Sequence, residues 1–262
     1  MIRAVFFDIG GTVHTQDATP DTDRDYAERL WHFLSGRGIR TTEDPMELLA
    51  CVDRGAKAYK AFAESELTEL PSDRIWQEFM LKEFSFSPGQ MDGLGEELSY
   101  LYDRFRKKIT KREGLAETLA GLKERGYTLG VISNIMSRSF VPKILEEHGV
   151  AGYFRTLTLS SVCGIRKPRP EIFEAALQAS GFAREEAAYV GDTISRDVIG
   201  VRNAGWPFMV QIDNPRIYHK DEKYLAMGYK PDCLIRTLPE IIPALDAYNL
   251  NMRKGGQVHE TC

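Results

Sequence analysis

"AVFFDIGGTV", residues 4–13, is the stretch from which the rest of the chain can be read. Val5, Phe6 and Phe7 form a short apolar run of strand-favouring residues, and it ends on Asp8, Ile9 and the pair Gly10–Gly11. A strand that delivers one carboxylate and then turns through glycines leaves that carboxylate at the sheet's edge. The glycines let backbone N–H groups come close to an anion. Asp8 is therefore a candidate nucleophile, and Gly11 and Thr12 are candidate phosphate-loop residues.

Outward from this stretch the pattern changes twice. Residues 14–112 read as entirely helical: Tyr26, Leu30, Phe33 and Leu34 give one apolar face, and Ile75, Trp76, Phe79 and Met80 another. Leu94, Leu98, Leu101, Tyr102 and Phe105 continue the helical spacing. Beyond Arg112, strands at "YTLGVIS" (127–133), "RTLTLS" (155–160), "AAYVG" (187–191) and "PFMVQI" (207–212) alternate with helical segments, and a weaker strand lies at "CLI" (233–235). That alternation predicts right-handed βαβ units and an α/β fold with a mainly parallel sheet. Residues 1–13 and 113–250 would form this core, 14–112 an inserted all-helical domain, and 251–262 a C-terminal tail.

Composition narrows the possibilities. With 262 residues, 43% hydrophobic and 27% charged, the chain has the make-up of a soluble globular protein. A formal net charge of −4 offers nucleic acid no general attraction. No apolar run approaches the roughly 20 residues of a membrane span, and the N-terminus lacks the layout of a secretory signal. Cys51, Cys163, Cys233 and Cys262 are far apart with no C-x-x-C spacing, which suits free thiols in a reducing compartment and a cytoplasmic location. Oligomeric state has no signature in the sequence.

Asp8, Ser133 with Asn134, and Asp192 all fall at the carboxyl ends of expected strands, the edge where open parallel sheets bind ligands. Four segments around them resemble the motifs of the haloacid dehalogenase-like (HAD) hydrolase superfamily: "FFDIGGTV", "VISN" (131–134), "GIRKPRPEIF" (164–173) and "YVGDTISRD" (189–197). The resemblance covers residues 1–13 and about 113–247, and the insertion has the position and helical character of that superfamily's type 1 cap over a Rossmann-like core.

The resemblance implies a phosphatase of a small phosphorylated metabolite, working through an aspartyl-phosphate on Asp8. It implies a magnesium ion held by Asp8, the carbonyl of Gly10 and Asp192, with Asp197 orienting the metal shell. Ser133 and Asn134 would donate hydrogen bonds to the phosphoryl oxygens, and Lys167 would neutralise the nucleophile and the transferring group.

Gly10 is the main departure. Phosphatases of the family carry an aspartate there as general acid and base, a contribution of roughly 10²–10⁴-fold. Glycine keeps the carbonyl and loses the carboxyl, so metal binding and attack should survive while turnover slows. His14 is a weak candidate for the missing proton source. Dehalogenases and phosphonate-cleaving relatives also lack an aspartate at this position; the latter would need a cap lysine, for which Lys57 and Lys60 are the nearest candidates. A binding or regulatory protein without catalysis is a further alternative, although retention of Lys167 and Asp192 weighs against it. The loop "SSVCG" (160–164) has no functional reading. The basic run 104–112 suits a helix C-terminus, and the long connection 213–230 reads as a surface excursion, with a part in lining the site as its alternative.

Overall fold

The computed structural model describes residues 1–256. Along the chain the strands are β1 (Ala4–Phe7), β2 (His14–Asp17), β3 (Lys108–Lys111), β4 (Thr128–Ser133), β5 (Phe154–Leu159), β6 (Ala187–Gly191), β7 (Phe208–Ile212) and β8 (Cys233–Ile235). Six of them make one sheet in the order β5-β4-β1-β6-β7-β8, with every neighbouring pair parallel.

The apolar run of β1 is continuous because helices cover both faces of the sheet. Val5 and Phe7 pack on one side with Leu115, Leu119 and Phe140, whereas Ala4 and Phe6 pack on the other with Phe173 and Trp206. Alternation of successive side chains across a strand requires this division. From β1 the chain builds outward through β4 and β5, then returns to the other side of β1 with β6. The crevice between the carboxyl ends of β1 and β6 is thus a topological switch point, and Asp8 and Asp192 stand on its two sides.

The helices between β2 and β3 bury a core of their own, built on Tyr26, Leu30, Val52, Trp76 and Leu98. Its first helix, Pro20–Ser35, starts where Thr19 accepts a hydrogen bond from the Thr22 N–H at 3.2 Å and proline occupies the first turn.

Two expectations change. Residues 14–112 are not entirely helical: β2 and β3 pair antiparallel where the chain leaves the sheet domain and returns to it, with His14 opposite Lys111 and Asp17 opposite Lys108. Two crossing segments side by side satisfy each other's backbone groups, which neither could do alone. The C-terminal tail is a helix over its first residues, because Ile241–Gly256 runs on past 250; residues 257–262, including Cys262, lie outside the described residues. Cys51, Cys163 and Cys233 are unbridged. Among the described residues no helix is long and apolar enough to cross a membrane.

Carboxylates from the helical block reach the sheet domain, Asp103 accepting the Ser137 N–H at 2.9 Å among them. Glu96 accepts hydrogen bonds from the Ser137 hydroxyl at 2.7 Å and the Ser139 hydroxyl at 2.8 Å. Glu69, its side chain wholly buried, pairs with Arg166 and accepts from Ser160 at 2.6 Å and from the Tyr59 hydroxyl. Removing one member of a buried pair strands the other charge. Glu69→Gln keeps the volume and is expected to cost about 3 kcal/mol in urea unfolding. A loss below about 0.5 kcal/mol would mean that water already screens Arg166.

Candidate active site

Asp8 follows β1 and Asp192 follows β6, while Asp197 closes a wide turn at Ile194–Val198. Each offers a carboxylate oxygen within 4.8 Å of the others, and all three are buried. Local sequence permits this crowding. Gly11 has φ +94°, and the position a Cβ would take there is already filled by the Asp192 carboxylate. Only glycine fits such a place.

Lys167 lies at the centre of the group. Its Nζ donates to Asp8 Oδ1 at 2.7 Å, to Asp197 Oδ1 at 2.7 Å and to the Tyr189 hydroxyl at 2.6 Å. Burial works to lower the Lys167 pKa, but Asp197 and Asp8 outweigh it and hold the ammonium above its usual range. Asp197 is also buried, yet Lys167 and Arg196 keep its carboxyl below the ordinary value. The other two aspartates go the opposite way. Burial raises Asp8 against the pull of Lys167. Asp192 is pushed up to about 7 by burial first, then by the charges of Asp8 and Asp197.

The Asp192 oxygens differ. Oδ2 accepts from Asn214 Nδ2 at 2.7 Å, whereas Oδ1 is buried and has no hydrogen-bond partner. An orphaned carboxylate oxygen beside two more carboxylates fits a hard divalent cation, whose positive charge would reverse both raised pKa values.

The other sequence-singled residues divide. Gly10, Gly11, Ser133 and Asn134 line the same cavity of about 460 Å³ as Asp8, Lys167 and Asp192. Asn134 is turned toward the protein: its Oδ1 accepts the Lys167 N–H at 2.8 Å and its Nδ2 donates to the Lys167 carbonyl at 3.0 Å. The expected phosphate donor is therefore first a clamp on the lysine's backbone. Thr12 lies wholly buried behind the loop, and its hydroxyl has no partner.

His14 is also buried, edge-on to Phe140, with Nδ1 at 3.4 Å from His148 Nε2. Burial, then His148, lowers its pKa to about 3, so at neutral pH the ring carries no proton to give as an imidazolium. Of the two lysines considered, Lys60 lines the cavity, with Glu64 at 3.7 Å.

Several cavity residues were not legible as such. Gln16 in β2 brings its amide to 3.4 Å from where a Cβ on Gly10 would stand, so it occupies the space next to the absent carboxyl. Arg112 donates to the Gly11 carbonyl at 3.0 and 2.6 Å and pins the loop from behind. The connection 213–230 runs largely exposed, yet it also helps to line the site: Asn214 holds Asp192, Ile217 and Lys220 line the cavity, and buried Asp221 accepts the Ile194 N–H at 2.9 Å. Asp103, on helix Gly95–Phe105, lines the cavity opposite, and burial lifts its carboxyl to about 8. The arginines at the start of the basic run have specific partners, with Arg106 paired to Asp23 and Asp53 and Arg104 to Glu147.

A family model for haloacid dehalogenase-like hydrolases matches residues 2–205. The glyceraldehyde 3-phosphate phosphatase of Methanothermobacter thermautotrophicus is 38% identical over 207 residues, covering 78% of this chain and 83% of that one. The glyceraldehyde 3-phosphate phosphatase of Pyrococcus furiosus is 32% identical over 140 residues, which span 52% of this chain and 55% of that protein. Among solved structures, a 2-haloacid dehalogenase from Pseudomonas syringae pv. tomato superposes with a TM-score of 0.62, covering 95% of this chain and 100% of that one, at 21% identity. At that identity the likeness speaks for the fold alone.

Proposed function

The chain belongs to the haloacid dehalogenase-like hydrolase family, and from that premise we propose that it is a magnesium-dependent phosphatase of a small phosphorylated metabolite, slow in turnover. The observation that carries this reading is Asp192 Oδ1, buried and unpaired beside Asp8, Asp197 and Lys167. The name of the Methanothermobacter relative supports a small phosphorylated substrate.

Asp8, Asp192 and the Gly10 carbonyl would hold the magnesium, with Asp197 orienting its shell. When bound, the ion would supply positive charge against the phosphoryl oxygens. Asp8 Oδ2, which no protein donor reaches among the described residues, attacks phosphorus in line as Oδ1 rests on Lys167. The bond to the leaving oxygen breaks, and Ser133 and the loop N–H groups steady the transferring group. Position 10 has no carboxyl to protonate that oxygen. Leaving groups stable as anions, such as acyl phosphates, need the acid least.

Water must then open the aspartyl-phosphate. The Gln16 amide can orient that water but cannot take its proton, so the phosphoenzyme is long-lived. Residues 14–112 serve as a cap that covers the site and reads the substrate.

Turnover of a panel of phosphorylated metabolites with and without magnesium tests the activity, with haloacids and phosphonoacetaldehyde as controls. Calorimetry tests the metal separately. With a phosphate mimic present, magnesium should bind the unmodified protein and bind Asp192→Asn at least about tenfold more weakly. Absence of magnesium binding to the unmodified protein would return the dehalogenase and non-catalytic readings.

A further inference from the structure

Three lysines face the cleft from three separate parts of the fold. Lys60 comes from helix Pro45–Glu66, Lys107 from the segment entering β3, and Lys220 from helix Tyr218–Ala226. Lys60 and Lys220 also line an adjoining cavity of about 450 Å³ together with Lys223 and His219. The lysines are near enough to feel one another. Withdrawal from water, then Lys220 and Arg106, lowers Lys107, and withdrawal from water, then Lys60 and Arg196, lowers Lys220.

The chain supplies little to offset this charge. Among the described residues no carboxylate lies within 4.0 Å of Lys107 or Lys220, and Lys60 has only Glu64 at 3.7 Å. Nor does the reacting phosphoryl group account for them. Lys167 sits at 2.7 Å from both Asp8 and Asp197, and the field of Arg196 falls on the same carboxylates. Like charges gathered with little counter-charge close by repel one another even where solvent reaches them, and an anion bound among them relieves that repulsion. Lysines act as adaptable point charges toward phosphate and carboxylate alike.

Building on the phosphatase reading, we propose that Lys60, Lys107 and Lys220 form a second anion subsite, so that the substrate carries another anionic group on the part that leaves. The substrate class is a bisphosphate or a phosphorylated carboxylic acid. Because the subsite joins the helical block to the sheet domain, such a substrate bridges both, whereas a leaving portion with no anionic group engages only the floor.

Two substrate pairs that differ by one anionic group test this: fructose 6-phosphate with fructose 1,6-bisphosphate, and glycerol 3-phosphate with 3-phosphoglycerate. At about 0.3 M salt long-range steering is largely screened, and kcat/KM should still favour the second member of at least one pair roughly tenfold, the size of one charge-assisted hydrogen bond. Lys60→Gln, Lys107→Gln and Lys220→Gln should each shrink that ratio, and the triple variant should bring it close to one. Lys123→Gln, exposed on helix Leu115–Glu124 far along the sheet domain, should leave it unchanged. Equal kcat/KM within both pairs, or a ratio indifferent to the three lysines, overturns the subsite.

p-Nitrophenyl phosphate, with no second anion, reports on the phosphatase reading separately. If it and every metabolite are inert, calorimetric binding of each pair to the unmodified protein decides the subsite: tighter binding of the second member, lost in the triple variant, upholds it, and equal binding overturns it.

Discussion

Asp8→Asn is expected to lower turnover by about 10⁴–10⁶-fold, the scale on which removal of a covalent nucleophile is felt. An amide oxygen is a poor nucleophile, and the variant can form no acyl phosphate. Radiolabelled substrate quenched in acid should mark the unmodified protein and leave Asp8→Asn unmarked. The fold should survive, because Lys167 keeps its 2.7 Å contact with Asp197 and its hydrogen bond to Tyr189. The substitution also removes one charge from a crowded trio. Asp192, which Asp8 helps to push up to about 7, should then titrate lower in the metal-free protein. Nuclear magnetic resonance of the side-chain carboxyl can follow this apart from activity. Residual turnover within tenfold of the unmodified protein would overturn Asp8 as nucleophile.

The sheet was legible in the sequence because its strands are short apolar runs separated by helices, and β1, buried on both faces, could hardly be anything else. Its carboxyl-end residues were legible for the same reason: once Val5–Phe7 and "AAYVG" are strands, Asp8 and Asp192 must lie near one another if the strands pair. The ribbon of β2 and β3 was not. "HTQD" and "KITK" have no hydrophobic period, and their pairing depends on two segments more than ninety residues apart meeting at one place.

The partners that finish the site were hidden in the same way. Asn214 on Asp192, Arg112 on the Gly11 carbonyl and Gln16 beside Gly10 are polar residues on irregular or short elements, and only the closed fold aims them. Asn134 was found in the right place, but its direction came from hydrogen bonds to Lys167 that no local pattern encodes. His14 shows the converse. Its nearness to Asp8 in sequence suggested a proton source, whereas the strand turns it away into contact with Phe140 and His148.

Gly10→Asp should raise turnover, by at most the roughly 10²–10⁴-fold that general acid–base catalysis supplies. The backbone accepts the change: Gly10 is not among the residues with positive φ, and a Cβ there meets only the far end of the flexible Gln16 side chain, at 3.4 Å. The added carboxyl would enter a cleft already crowded by Asp8 and Asp192, and like charges nearby raise a carboxyl pKa toward the range useful to an acid. The gain should therefore be largest for sugar or alcohol leaving groups, which need a proton, and small for acyl phosphates, which do not. The steady-state phosphoenzyme should fall at the same time, since the new carboxylate can also take a proton from the attacking water. If Gly10→Asp folds, binds magnesium and gives no gain on any substrate, the missing acid was never the limit. A proton must then come from elsewhere in the cavity. His14 is neutral and turned away, whereas Asp103, lifted to about 8, carries a proton at pH 7 and lines the same cavity. In that event Asp103→Asn in the unmodified background would depress turnover on alcohol leaving groups while sparing acyl phosphates, and the slow-turnover reading would give way to one in which the helical block supplies the acid.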